Sequence, residues 1–342
     1  MGKVFKGIFR SVGLLLAVVL FLFLVVYAVI AVIGAATYGE ARKAREFVLK
    51  IPAIHSGFAP QGLAYSEETD TYILTGYDTD NTVLLYLVQD GESRRVSLTD
   101  EEGAPLKGHA GGVTCHENTV FISDNASLYL FSLNELIAAQ KTDKVAVKRT
   151  VPVDNNASYC YSDDKYLYVG EFCRAENYKT DESHHYTTPN GDTNRAIVSV
   201  YPLRLFELTS LLTLQPYPEY CISVTGLVQG FAVKDGTYIL SRSYGLTDSR
   251  LEYHTGLRDT KKKIPVTFKQ NETAPKAEVP LYFLDSASNY KTLILPAFSE
   301  DVTIVGERVL VTNEASANKY FVGKLFGANK VYSYPVYEKT VK

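Results

Sequence analysis

The chain has 342 residues, with 35 Lys and Arg against 38 Asp and Glu, and a net charge of −3 at neutral pH. A balance this close to neutral offers no basic surface of the kind a phosphate backbone requires, so nothing points to nucleic acid as a partner. Tyr (25) and Phe (16) are abundant, Trp is absent and Met occurs once, a composition that suits strands better than a helical bundle whose gaps Met would fill.

The first predicted element is a helix. Residues 1–10, MGKVFKGIFR, form a short basic tail, and Ser11 to Thr37 contains no charged residue. A helix needs about 20 apolar residues to cross the hydrocarbon core, so residues 11–37 are expected to span a membrane. Gly34-Ala35-Ala36 resembles a signal cleavage site, but a secretory signal carries an apolar core of about 7 to 15 residues, which this run exceeds. The expectation is an uncleaved signal anchor. Lys3, Lys6 and Arg10 before the span nearly balance Arg42, Lys43, Arg45 and Lys50 after it, so charge alone does not orient it. The short basic tail has the form of a signal-anchor n-region, and long domains translocate largely regardless of charge. Both points place residues 38–342 outside the cytoplasm of a single-pass membrane protein. A linker, 38–44, then leads into one domain, 45–342.

Beyond the anchor the sequence repeats itself. "PQGLAYSEETDTYILTGYD" starts at Pro60, "AGGVTCHENTVFISDN" at Ala110, "NNASYCYSDDKYLYVGEF" at Asn155, "VQGFAVKDGTYILSRS" at Val228 and "SEDVTIVGERVLVTNE" at Ser299. Each reads as a strand, a polar turn and a second strand ending in a small residue: Gly76, Ser123, Gly170, Ser241 or Thr312. Alternating runs follow as third strands: "TVLLYLV" from Thr82, "SLYLFSL" from Ser127, "AIVSVYPL" from Ala196, "VPLYFLD" from Val279 and "KVYSYPV" from Lys330. Fourth runs precede the next hairpin: "RRVSL" from Arg94, "VAVKRTVPV" from Val145, "CISVTG" from Cys221 and "KTLILPA" from Lys291. The fifth repeat has none, and "REFVLKIPA", Arg45 to Ala53, is expected to supply it. Four-stranded meanders repeated around a ring make a β-propeller, and an N-terminal strand that completes the last blade leaves no open seam. The predicted fold is all-β, a five-bladed propeller preceded by one transmembrane helix. "LNELIAAQK" from Leu133 and "LRLFELTSLLTL" from Leu203 show helical spacing and read as packing helices.

In an antiparallel hairpin the start of the first strand lies beside the end of the second. The residues that bracket each repeat therefore meet at one mouth of the ring. Aligned on the small residue, the leading positions are Gln61, Gly111, Asn156, Gln229 and Glu300, and the trailing ones Tyr77, Asp124, Glu171, Arg242 and Asn313, with Asp78, His109, Asp301 and Glu314 adjacent. Several carboxylates in one funnel must be protonated, paired or bound to a cation. The mouth is the candidate site, with Glu171, Glu300 and Glu314 as candidate acid–base residues. Polar residues at strand ends also cap turns and meet solvent, which is the structural alternative at each position. Two long insertions, 172–195 and 243–278, read as joins between a second and a third strand, over the same mouth. Within the first, His184 and His185 read as exposed loop histidines, with metal ligation as the alternative. "RDTKKK" from Arg258 reads as a solvated charge run.

Cys115, Cys160, Cys173 and Cys221 allow three disulfide pairings, or simply four buried thiols; no C-x-x-C occurs. G-x-S-x-G, P-loop, G-x-G-x-x-G and H-E-x-x-H patterns are absent, which argues against common hydrolases and nucleotide enzymes. Asn125, Asn156 and Asn271 begin glycosylation sequons.

The segments "APQGLAYS", "LVQGFAVKDGTYILSRS" and "FSEDVTIVGERVLVTNEASANKY" resemble the hairpins of bacterial exported propellers, in the neighbourhood of gluconolactonase-like and propeller-type glutaminyl cyclase proteins. The resemblance covers most of residues 45–336 and implies the architecture. In the first group an acidic residue at the first inner-strand mouth helps to bind a divalent cation such as calcium; here Gln61 stands there and Glu300 appears in the last repeat. In the second a glutamate precedes a glycine at an inner strand; here the pattern reads Gln61-Gly62 and Gln229-Gly230. Neither active site carries over. The expected function is binding of a small molecule, envelope polymer or protein at the mouth, with a carboxylate-dependent hydrolase or cyclotransferase acting on a sugar or peptide as the alternative.

Overall fold

The computed structural model describes residues 2–206, 211–214, 217–269, 273, 275–320, 323–326 and 329–339. The chain forms two units, Met1–Ala44 and Arg45–Lys342. In the first, a helix over Gly2–Thr37 is followed by a short one over Gly39–Ala44. Val12–Thr37 is long and apolar enough to cross a membrane. Its side chains lie open along the helix, Leu14 at 69% and Phe23 at 65% exposure, an apolar surface of the kind a bilayer covers.

The second unit is a ring of five blades. Blade one runs Ala59–Ser66, Thr71–Tyr77, Val83–Gln89 and Glu92–Thr99 from axis to rim; blade two, Gly112–His116, Thr119–Asp124, Ser127–Ser132 and Arg149–Pro152. Blade three has Tyr159–Ser162, Tyr166–Gly170, Ala196–Phe206 and Tyr220–Val224. Blade four has Val228–Lys234, Thr237–Arg242, Ser249–Thr255 and Asn289–Leu295. Blade five has Ser299–Val305, Arg308–Asn313 and Lys330–Pro335, and Glu46–Lys50 completes it as the outer strand, antiparallel, with Glu46 opposite Ser333 and Lys50 opposite Lys330. Each inner strand touches the inner strands of both neighbouring blades, so the ring is closed.

Apolar residues on alternate positions pack blade against blade. Leu49, Ile51 and Ile54 join Leu310 and Val331 of blade five to Phe58 and to Leu74 and Leu84 of blade one, which seals the closure. At the axis the fit is tight enough to require glycine. A Cβ on Gly62 would lie 2.7 Å from the Val113 amide nitrogen of blade two, and one on Gly230 2.7 Å from that of Val302 in blade five. The four cysteines are free thiols.

Three elements differ from expectation. The run from Val145 is divided: Lys144–Ala146 adds to blade one as a fifth strand, parallel to Ser97–Thr99, and Arg149–Pro152 alone closes blade two. The segment read as a helix from Leu203 is a hairpin, in which Leu203–Phe206 extends the third strand of blade three and pairs with Leu211–Leu214; residues 207–210 lie outside the described ones. Its apolar spacing suits either period, and continuation of an existing ladder decided it. The third strand of blade four is Ser249–Thr255, not the run from Val279. Ala277–Phe283 instead pairs in parallel with Tyr220–Val224 at the rim of blade three, with Arg258–Val266 beyond it. Alternation failed as a signal at Ser249–Thr255 because Glu252 and His254 are buried along with Leu251 and Tyr253. The helix from Leu133 is present, over Leu133–Ala138, with Leu133 and Leu136 buried and the Ser132 hydroxyl accepting the Glu135 N–H at its start.

Candidate functional site

The inner strands of blades one, four and five lose register at their mouth ends, between Pro60 and Leu63, Val228 and Gly230, and Ser299 and Val302. A β-bulge turns a side chain out of the alternation of its strand. Gln61, Gln229 and Glu300 occupy these irregularities. In blades two and three the equivalent residues, Gly111 and Asn156, precede the inner strand. All five line one cavity of about 680 Å³.

Blade five supplies two neighbouring carboxyl groups, Glu300 and Glu314, and blade two supplies Asp124. Glu300 is 3% and Glu314 7% exposed. Gln61 Nε2 donates to Glu314 Oε2 at 2.9 Å, the Tyr320 hydroxyl to Glu314 Oε1 at 2.7 Å, and Gln229 Nε2 to Glu300 Oε1 at 3.4 Å. Burial, reinforced by the neighbouring Glu314 charge and a hydrogen bond between the two carboxyls, holds Glu300 well above the usual carboxylate range. Glu314 is also raised, again chiefly by burial, against the opposing effect of Tyr320 and Lys319. Two buried, hydrogen-bonded carboxyls whose affinities for a proton are both raised hold one proton between them.

Aromatic rings surround this pair. Tyr77 stacks on His109 with centroids 4.7 Å apart, and Phe298 tilts against Tyr320 at the same separation. Asp124 fixes the His109 loop by accepting the His109 amide at 2.7 Å and the Ala110 amide at 3.0 Å. The segment after blade three's second strand contributes Phe172, Tyr178 and Lys179 to the wall, and the short link 243–248 contributes Tyr244. Phe172 meets Tyr178 edge-on, and Arg174 lies 4.2 Å over the Tyr244 ring. The Lys319 ammonium donates to the Tyr77 hydroxyl and sits 4.8 Å and 5.2 Å from the Tyr77 and Tyr320 ring centroids.

Of the residues expected at the mouth, Gln61, His109, Asp124, Asn156, Gln229, Glu300 and Glu314 line the cavity. Five do not. Glu171, named above as a candidate acid–base residue, is 1% exposed and spent on structure. It accepts the Asn156 and Ile197 amides at 3.3 and 3.1 Å and pairs with His184 Nδ1 at 3.0 Å. His184 is therefore a buried partner and not an exposed loop histidine. Arg242 turns away from the axis to Glu252 Oε1 at 2.7 Å and the Gly226 carbonyl at 3.2 Å. Asn313 bridges the Ala297 carbonyl and the Ala315 amide. Asp301 is fully buried beneath the cavity, where it accepts the Leu63, Val113 and Val302 amides at 3.1, 3.3 and 2.9 Å, tying blades one and two to blade five. Asp78 caps its own turn through the Asp80 and Thr82 amides and lines a neighbouring cavity. Sequence reasoning missed Lys319, Tyr320 and the aromatic residues of the loops, because they lie outside the repeated hairpin that guided the alignment. The second insertion is likewise divided: only its first residues reach the cavity. Asn271 lies outside the described residues.

Among the described residues no group of three or more His, Cys, Asp or Glu side chains forms a metal-binding set. The oxygens of Asp301 and Glu314 are committed to amide and hydroxyl donors, so these side chains do not fit a divalent cation.

No protein-family model matches the chain, and no curated protein does. Among solved structures it is similar to the glutaminyl cyclase of Myxococcus xanthus, at 10% identity over 85% of this chain and 94% of that one, with a TM-score of 0.39. It is also similar to a gluconolactonase from Xanthomonas campestris, at 11% identity over 82% and 86% with a TM-score of 0.36. Regucalcin from Agrobacterium tumefaciens, a calcium-binding protein, aligns at 9% identity over 84% and 93% with a TM-score of 0.37. These are likenesses of fold.

Proposed function

We propose that this chain is a membrane-anchored propeller, held outside the cytoplasm by its N-terminal helix, that binds a polar organic ligand in the cavity at one mouth of the ring. The observation that carries the reading is the convergence of all five leading positions on a single cavity, three of them at bulges. Bulges disrupt a ladder locally, and clustered at one end of a closed ring they aim side chains at a shared space. The cavity is within the size range of small-molecule sites, and its mixture of aromatic rings with a few convergent amides and carboxyls is what such sites use to fix orientation.

A ligand screen on the full chain in detergent micelles, read by thermal shift and followed by calorimetry, tests this. Gln61→Ala and Gln229→Ala should each weaken a hit by about tenfold, the worth of one net hydrogen bond to a desolvated group. Hits that ignore both substitutions would refute the proposed site. The carboxyl pair supports one catalytic reading of the same cavity, with protonated Glu300 as acid and Glu314 as base. In that case Glu314→Gln abolishes turnover of a bound sugar or peptide and leaves its binding in place.

A further inference from the structure

A second cavity, of about 380 Å³, lies beside the first, and the two share Tyr77, His109 and Lys319. The smaller one is walled by Phe58 and Ala317 and edged by the turn that Asp78 caps. The partition between them thus carries a cation. Lys319 is exposed, forms no ion pair among the described residues, and gives one hydrogen bond to the Tyr77 hydroxyl. An ammonium has three donors, so two remain for a ligand. Lys179 adds a second positive charge to the larger cavity. Glu314 attracts the ammonium electrostatically, but its oxygens accept from Gln61 and Tyr320, so the two remaining N–H groups of Lys319 stay free to meet a ligand. The unspent polar capacity at the partition is therefore cationic. The remaining walls are ring faces interleaved with amide side chains. Flat C–H faces of a pyranose stack on such rings while its hydroxyls bond the amides.

Resting on the reading that the mouth binds a ligand, we propose that the two cavities form one site for a short acidic oligosaccharide, its carboxylate docked on Lys319 at the partition and a sugar ring on either side. Calorimetry of the full chain in micelles with trigalacturonate, its carboxyl-reduced neutral counterpart and monomeric galacturonate tests each part. Trigalacturonate should bind at least tenfold more tightly than the neutral trimer. Lys319→Met, which keeps the aliphatic stem over the rings, should erase that preference, and Lys319→Arg should keep it. Thr79→Trp, which fills the smaller cavity from an exposed loop position, should reduce the trimer to the affinity of the monomer and leave the monomer unchanged. Equal binding of acidic and neutral trimers with Lys319→Met silent overturns the anion anchor, and the mouth remains a ligand site. A trimer no tighter than the monomer overturns the two-cavity arrangement. Binding of trialanine, through its C-terminal carboxylate, in preference to trigalacturonate overturns the saccharide class. If none of the three sugars binds, the inference falls, and the broader screen on the same preparation decides whether the reading of the mouth falls with it.

Discussion

Glu300 and Glu314 reach the cavity from adjacent strands of one blade, the first at a bulge and the second one residue past Asn313. Their chemistry follows from burial, which makes ionising the folded protein harder than ionising the unfolded chain. The sign for Glu300 is fixed by the direction of its shift. An acid raised on folding leaves the native state holding more protons than the unfolded state above the ordinary glutamate value of about 4.3, so its contribution to stability falls as pH rises from there. Glu300→Gln keeps the shape and a donor toward Glu314 but cannot ionise. Its melting temperature should match the wild type near pH 4.5 and exceed it by a gap that widens to roughly several degrees by pH 8. Thermal unfolding followed across that range checks this, and a gap independent of pH would mean that the pair does not share a proton. Arg242 and Gln229 show the limit of single positions: both bracket the same hairpin, yet the bulge aims Gln229 inward and Glu252 draws Arg242 outward.

At the scale of elements, the insertion after blade three's second strand is the part of the mouth that is built rather than inherited from the repeat. It supplies Phe172, Tyr178 and Lys179 to the cavity and is pinned from beneath by Glu171 and His184. Burial disfavours a charged His184, but its hydrogen bond and charge interaction with Glu171 outweigh burial and raise it above the ordinary imidazole value. A histidine raised on folding stabilises fully below its unfolded value of about 6.5, and that contribution is lost as pH rises through the folded value. Backbone amides of residues 172–195 should therefore exchange more slowly at pH 6 than at pH 9, after correction for intrinsic rates. His184→Asn should flatten the difference and weaken ligand binding several-fold. Exchange that shows no such pH dependence in the wild type would remove the pin. The same insertion explains why much of the wall was illegible in the sequence. Its aromatic residues follow no period, since they serve a loop packed over a cavity and not a strand face.

For the whole molecule, stability depends on closure between segments about 280 residues apart in sequence, an arrangement with a large loop entropy to overcome. Leu49 and Val331 belong to the cluster that seals this seam. Leu49→Ala should cost about 2–4 kcal/mol, and Val331→Ala somewhat less. The double variant should depart from additivity because both changes open the same packing. Denaturant unfolding in a double-mutant cycle measures this, and strict additivity would show that the two sides of the seam do not support each other. Closure also fixes the site: Gln61 from blade one reaches Glu314 of blade five only because the ring is complete.

The repeat, the blade number, the N-terminal strand in the last blade and the long apolar helix were all legible in the sequence, because each rests on local pattern: alternation, turn residues and an uncharged run of sufficient length. The leading positions were legible for the same reason, since a repeated hairpin places equivalent residues at equivalent points of a ring. Tertiary structure alone decided which polar residues serve the cavity. Glu171, Arg242, Asn313 and Asp301 carry the same kinds of side chain as the residues that line it, and each is withdrawn by a partner distant in sequence or across a turn: His184, Glu252, Ala297 and the amides of neighbouring blades. Hydrogen bonds and burial depend on what the folded chain brings close, and no periodicity along the sequence records that.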